Sequence, residues 1–107
     1  MDIRKFIKSF DYAIQGIITA MREQNFRFHL LSAVIVIIAG LFTGLSILEW
    51  IVIILVIALV IGAEMLNTAI ERVVDLVSPD YHPLAKQAKD IAAASVLVFA
   101  ACSVIIG

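Results

Sequence analysis

Three long stretches of this chain carry almost no ionisable side chain, and they constrain its fold more than anything else in it. Phe28 to Leu48 contains only His29, while Trp50 to Ala63 and Ile91 to Gly107 contain none. A helix needs about 20 apolar residues to cross the hydrocarbon of a bilayer. The chain is therefore read as an all-α integral membrane protein with transmembrane helices at about 28–48, 50–77 and 84–107. Only the first part of the second helix needs to sit in hydrocarbon, and its polar end is expected at the cytoplasmic interface. Composition agrees. With 63% hydrophobic residues in 107 and a mean hydropathy of +1.07, the chain is more apolar than a soluble domain of this length.

Charge sets the orientation. Arg4, Lys5, Lys8, Arg22 and Arg27 precede the first span, and Arg72, Lys86 and Lys89 lie between the second and third. The turn between the first two spans has Glu49 and no base. Positive residues favour the cytoplasmic side, so the N-terminus and the 78–87 loop are expected inside and the C-terminus outside. The first 27 residues are charged throughout and do not read as a signal peptide. The net charge of −1 gives no hint of nucleic acid.

Residues 2–26 show a helical stripe. Ile3, Phe6, Ile7, Phe10, Ile14, Ile17, Ile18 and Met21 recur on one side, with Lys5, Lys8, Asp11, Tyr12, Gln15 and Thr19 on the other. Such a helix lies along a membrane surface rather than across it. It serves as an anchor, and its polar face is also suited to roof a site. Gly40 and Gly44 make a G-x-x-x-G spacing, which either permits close helix approach or marks the turn that begins at Gly44. Trp50 stands where an interfacial aromatic belongs. Ser78-Pro79-Asp80-Tyr81-His82-Pro83 ends the second span, and the third helix starts near Leu84. Its Ala92, Ala93, Ala94 and Ser95 suit tight packing. The lone Cys102 excludes an internal disulfide and is read as a packing residue. The whole chain, 1–107, reads as one domain.

Chemistry gathers where the second span ends, in GAEMLNTAIERVVD. At about 100° per residue, Glu64, Asn67, Glu71 and Asp75 fall within a sector of roughly 80°. A carboxylate within an apolar segment faces a bundle, a partner or an ion, and is functional by default. Each residue also has a plainer reading. Glu64 as a structural carboxylate, Asn67 as glue between helices and Glu71 as an interfacial charge all remain open, and Lys89 and Asp90 fit a surface ion pair worth little. His29 reads as a boundary residue and His82 as an exposed loop residue. No phosphate-binding glycine loop, dinucleotide fingerprint or zinc-type His/Cys cluster is present. What remains is an oxygen-rich face with bases nearby. Mg²⁺ takes one or two carboxylates together with substrate phosphates and water. Glu71 and Glu23 fit that role, and Lys8, Lys86 and Lys89 are placed to neutralise phosphate. Glu64, deeper, is suited to accept a proton from a membrane-embedded alcohol.

The run GAEMLNTAIERVVDLVSPDYHPLAKQAKD resembles the signature of the prokaryotic diacylglycerol kinase family: E-x-x-N-[ST]-A-[IL]-E, an acid-x-H turn, then A-K-D on the next helix. Glu64, Asn67, Thr68, Ala69, Ile70, Glu71, Asp80, His82, Ala88, Lys89 and Asp90 supply these elements in order, and REQNFRFH resembles the segment that closes the family's surface helix. The resemblance covers nearly the whole chain. It implies a small membrane lipid kinase with a surface helix and three spans, assembled as a homotrimer and using ATP and Mg²⁺.

Carried over, it implies Glu64 as catalytic base and Glu71 and Glu23 as metal ligands that also meet the nucleotide through the metal. Asn67 falls near the γ-phosphate, Lys89 and Asp90 on the nucleotide, and the Asp80–His82 turn beside adenosine. Tyr12 and Lys8 on the surface helix complete the nucleotide contacts. The N-F-R-x-H run and His82-Pro83-Leu84-Ala85-Lys86 resemble the Gram-positive-type branch, whose members are often undecaprenol kinases. The resemblance thus implies phosphorylation of undecaprenol, with diacylglycerol as the alternative acceptor, at the bacterial inner membrane. Gln87 stands where a basic residue is expected. From a different class, a small proton-coupled multidrug transporter also combines this length with an intramembrane Glu. It would show an even number of spans and few ligands at the cytoplasmic end.

Overall fold

A computed structural model describes residues 2–107. The described residues form four helices and no strand: α1 (Ile3–Ala20), α2 (Gln24–Thr43), α3 (Ile47–Val77) and α4 (Pro83–Ile106). By length and composition α2, α3 and α4 each suffice to cross a membrane. The 31 residues of α3 extend about 46 Å at 1.5 Å per residue, well beyond a hydrocarbon core of ~30 Å. Its surplus turns carry Glu71, Arg72 and Asp75.

Local chemistry explains the helix ends. Asp2 caps α1 by accepting from the Arg4 N–H at 3.0 Å. Gly44, at φ 68°, ends α2 in the left-handed region that favours glycine. Ser46 opens α3 with a reciprocal cap: its Oγ accepts from the Glu49 N–H at 3.2 Å, and the Glu49 carboxylate accepts from the Ser46 N–H at 3.3 Å. Pro83 starts α4, where its missing N–H costs nothing, and His82 Nδ1 accepts from the Leu84 N–H at 3.1 Å.

The boundaries differ from the sequence reading at two places: α2 ends at Thr43 rather than near 48, with α3 starting at Ile47 rather than 50, and the bend before α2 comes earlier. The first helix does not run to 26. It stops at Ala20, and Glu23 is extended (φ −81°, ψ 131°), so α2 begins at Gln24 rather than near 28. No glycine or proline marks this bend. Buried Ala20 and Phe26 flank it, so burial on either side, rather than a local breaker, accompanies the change of direction.

α3 packs most extensively on α4 and more lightly on α2, and α1 has no extended contact with any of them. Apart from Phe26 at the start of α2, the buried apolar side chains of the three long helices are Ala33, Ala63, Ala92 and Val96. Small side chains let backbones approach where lipid offers no hydrophobic drive for association. Gly40 is buried too, and its place is specific. A Cβ there would lie 2.8 Å from Trp50 Cη2 and 2.9 Å from Leu45 Cδ1. Gly40 is thus the seat of the Trp50 ring and Gly44 is the turn, so the two glycines do different work. Cys102 is exposed on the chain's surface instead of packing inside it, because it lies on the face of α4 turned away from the core.

Candidate active site

The polar end of α3 meets the first turns of α2. Glu64, Asn67 and Thr68 are all buried. Their spacing along α3 keeps them on its inner face, which meets α2 where His29 approaches Glu64. Thr68 Oγ1 donates to the Glu64 carbonyl at 3.0 Å. That absorbs the hydroxyl locally and leaves the Glu64 carboxylate free.

His29 of α2 brings its Nε2 to 3.6 Å from Glu64 Oε2. The sequence reading placed His29 at a membrane boundary and missed this contact. Because α2 starts at Gln24, His29 lies in its second turn, on the side that meets Glu64. The N-F-R-x-H run was the signal available for it, but no periodicity joins residues 35 apart in sequence, as His29 and Glu64 are.

Asn67 Nδ2 donates to Glu71 Oε1 at 3.3 Å, one turn along the same face. Asn67 Oδ1 is buried with no partner among the described residues. A buried amide oxygen without a donor costs about 1–3 kcal/mol, so this atom is the part of the face most ready for a ligand.

Glu23, just before α2, accepts from Arg72 of α3 at 2.8 Å. Both side chains are substantially exposed, so the pair ties the helices with little energy. Lys89 does not pair with Asp90. It reaches across to Asp75 of α3, while Asp90 pairs with Lys86 one turn back at 2.6 Å. Four residues along a helix bring Lys86 onto the face of Asp90, whereas Lys89 points toward α3.

The proposed residues therefore fall into separate groups. Glu64, Asn67 and Glu71 form one face with His29 against it, and Glu23 stands at its edge. Lys89 and Asp90 lie apart from that face at the α3–α4 end, each in its own ion pair, with Asp75 and Lys86 respectively. His82 is exposed and engaged in capping, and Asp80 lies in the loop with its carbonyl accepting from Ser78 Oγ at 3.0 Å. Lys8 and Tyr12 are exposed on α1, and no polar contact among the described residues links them to Glu64.

Three membrane-length helices with a buried acid and amide at one polar end define a helical membrane protein whose reactive groups collect at the edge of the apolar zone. Comparison with known proteins gives that class its family. Residues 11–107 match the family model described as prokaryotic diacylglycerol kinase. The chain is 50% identical to an undecaprenol kinase of Bacillus subtilis (strain 168), over 99% of its own length and 87% of that protein. It is 46% identical to a diacylglycerol kinase of Synechocystis sp. (strain ATCC 27184 / PCC 6803 / Kazusa), over 92% of its length and 58% of that protein. With a diacylglycerol kinase of Escherichia coli (strain K12) the identity is 30%, over 88% of this chain and 78% of that one. The chain belongs to the prokaryotic diacylglycerol kinase family, and is thereby an ATP-dependent lipid kinase of the membrane.

Proposed function

We propose that this kinase transfers the γ-phosphoryl group of ATP to the hydroxyl of undecaprenol, at the cytoplasmic edge of a bacterial inner membrane. The observation that carries the chemistry is Glu64: a carboxylate only 3% exposed at the polar end of an apolar helix, with its oxygens free to receive a proton. The choice of acceptor is supported by the 50% identity to an undecaprenol kinase. The 46% identity to a diacylglycerol kinase favours diacylglycerol as the second reading.

In this mechanism the lipid alcohol stays in the bilayer and ATP approaches from the cytoplasm. The hydroxyl oxygen bonds to the γ-phosphorus as the bond to the ADP oxygen breaks, and the hydroxyl proton passes to Glu64. Asn67 lies beside the phosphate, where its Nδ2, once released from Glu71, donates to a phosphate oxygen. Lys89 adds positive charge near the nucleotide once it leaves Asp75, and Asp90, Asp80, His82, Tyr12 and Lys8 complete the nucleotide contacts. Catalysis of this kind is mostly positioning and electrostatics.

The residues fit Mg²⁺. Among the described residues no three His, Cys, Asp or Glu side chains form a ready metal cage, and this ion needs none. It takes one or two carboxylates with phosphate oxygens and water. Glu71 and Glu23 would hold it, with Glu23 released from Arg72, and the bound ion would offset phosphate charge.

Two features of assembly belong to the same reading. The apolar stripe of α1, with Ile3, Phe6, Ile7 and Phe10 exposed, suits a helix lying amphipathically on the membrane surface. Lys8 and Tyr12 on its other side are separate from Glu64 within one chain, so a homotrimer in which neighbouring copies share each site accounts for them. The test is transfer of label from γ-labelled ATP in mixed micelles with Mg²⁺, offering undecaprenol and diacylglycerol separately and in competition. Preferential label in undecaprenol supports the reading. Preferential label in diacylglycerol replaces the acceptor, and label in neither overturns the function.

A further inference from the structure

We infer that His29 is a second residue that touches the acceptor: Nε2 of His29 and the carboxylate of Glu64 hold the reacting hydroxyl between them. This rests on the lipid-kinase reading above and adds the group that fixes where the hydroxyl sits.

The starting point is an incomplete carboxylate. Glu64 is 3% exposed, yet among the described residues no N–H or O–H donates to its side-chain oxygens. Thr68 bonds the Glu64 backbone carbonyl, and the Asn67 amide is turned to Glu71. A carboxylate held in a largely buried position without donors is costly, and its oxygens, unlike Asn67 Oδ1, are not sealed off, so a donor from outside the chain can reach them. The nearest polar group is His29 Nε2, at 3.6 Å from Oε2. That separation is too long for a hydrogen bond, and it leaves room for a third atom. A hydroxyl oxygen about 2.7–3.0 Å from each closes a triangle on that side. Its O–H donates to Glu64, one lone pair accepts from the His29 N–H, and the other lone pair is left for phosphorus.

The surroundings give the direction of approach. His29 is half-buried, and the edge of its ring meets Phe28 with centroids 5.8 Å apart. It opens onto an apolar groove between α2, α3 and α4 of about 610 Å³, flanked by Ser32, Ala33, Val60 and Ile61. A lipid alcohol arriving through hydrocarbon meets His29 from this groove. Asn67 and Glu71 lie one and two turns further along α3, on the phosphate side. Two groups facing different substrates across one carboxylate are what transfer between a lipid and a nucleotide requires.

The test uses the full chain in mixed micelles, first with undecaprenol and diacylglycerol as probes for the wild type. Label in neither acceptor sinks the lipid-kinase reading, and the inference falls with it. With an acceptor established, His29→Ala and His29→Gln are compared. The glutamine amide can supply an N–H near the position of Nε2, and alanine cannot. His29→Ala is expected to lower kcat/KM for the lipid about 10- to 100-fold, the value of one hydrogen bond in a charged network, with KM for ATP unchanged. His29→Gln is expected to recover most of that loss. Emission of the sole tryptophan, Trp50, checks that both variants are folded. Equal losses in the two variants, wild-type kcat/KM in both, or a loss expressed as a raised KM for ATP would each overturn the assignment.

Discussion

Replacing Gly40 by alanine tests whether the Trp50 ring sets the approach of α2 and α3. The added Cβ would lie 2.8 and 3.2 Å from two atoms of the Trp50 ring and 2.9 Å from Leu45 Cδ1. Carbon atoms attract best at about 3.5–4.0 Å, so the 2.8 and 2.9 Å contacts must open by more than about half an ångström, and the 3.2 Å contact by less. Leu45 can rotate its terminal methyl away. Trp50 is a rigid plate and must tilt, or carry α3 outward at this end. Overpacking of this kind costs about 1–3 kcal/mol. Alanine recovers close to 1 kcal/mol in a helix through propensity. The expected net loss is about 1 kcal/mol, read as a lower midpoint when the protein is unfolded from mixed micelles by a denaturing detergent and followed by circular dichroism.

Because the chain has a single tryptophan, Trp50 fluorescence should report the displaced ring directly. Lipid-kinase turnover should change little, since Gly40 is 11 residues from His29, about 16 Å along α2. In a Trp50→Leu background the cost of Gly40→Ala should vanish, because residues in contact do not behave additively. A Gly40→Ala protein more stable than wild type, or one whose loss persists without the tryptophan ring, would refute the assignment of Gly40 as the ring's seat.

Three further outcomes are expected. Glu64→Gln keeps the shape of the buried side chain and removes its capacity to take a proton, so turnover should fall about 10²- to 10⁴-fold while ATP binding persists; near-wild-type turnover would exclude Glu64 as base. Glu71→Gln should raise the Mg²⁺ concentration needed for half-maximal rate, and an unchanged titration would remove it from the ligand set. Ser46→Ala opens the reciprocal cap with Glu49 and should cost about 1 kcal/mol of stability without altering kcat, so a loss of turnover in the folded variant would contradict a purely capping role.

Much of this molecule is legible along the chain because the bilayer imposes a length and the helix imposes a period. A hydrocarbon slab demands runs like Trp50 to Ala63, and their number and rough limits follow without any tertiary information. The same period places Glu64, Asn67 and Glu71 on one face, and Gly44, Ser46 and Pro83 act through their own backbone neighbours to end or start helices. Pairings between helices are of another kind. That His29 rather than a lysine meets Glu64, that Arg72 holds Glu23, and that Lys89 reaches Asp75 instead of its neighbour Asp90 depend on where separate helices cross. The bend after Ala20 belongs here too, since no local breaker announces it. So does Gly40, whose role depends on an indole from the following helix. Residue type and spacing determined which groups were available to this protein. Only packing of α2 and α4 on α3 decided which of them meet, because side-chain contact is a property of three-dimensional distance that no one-dimensional period encodes.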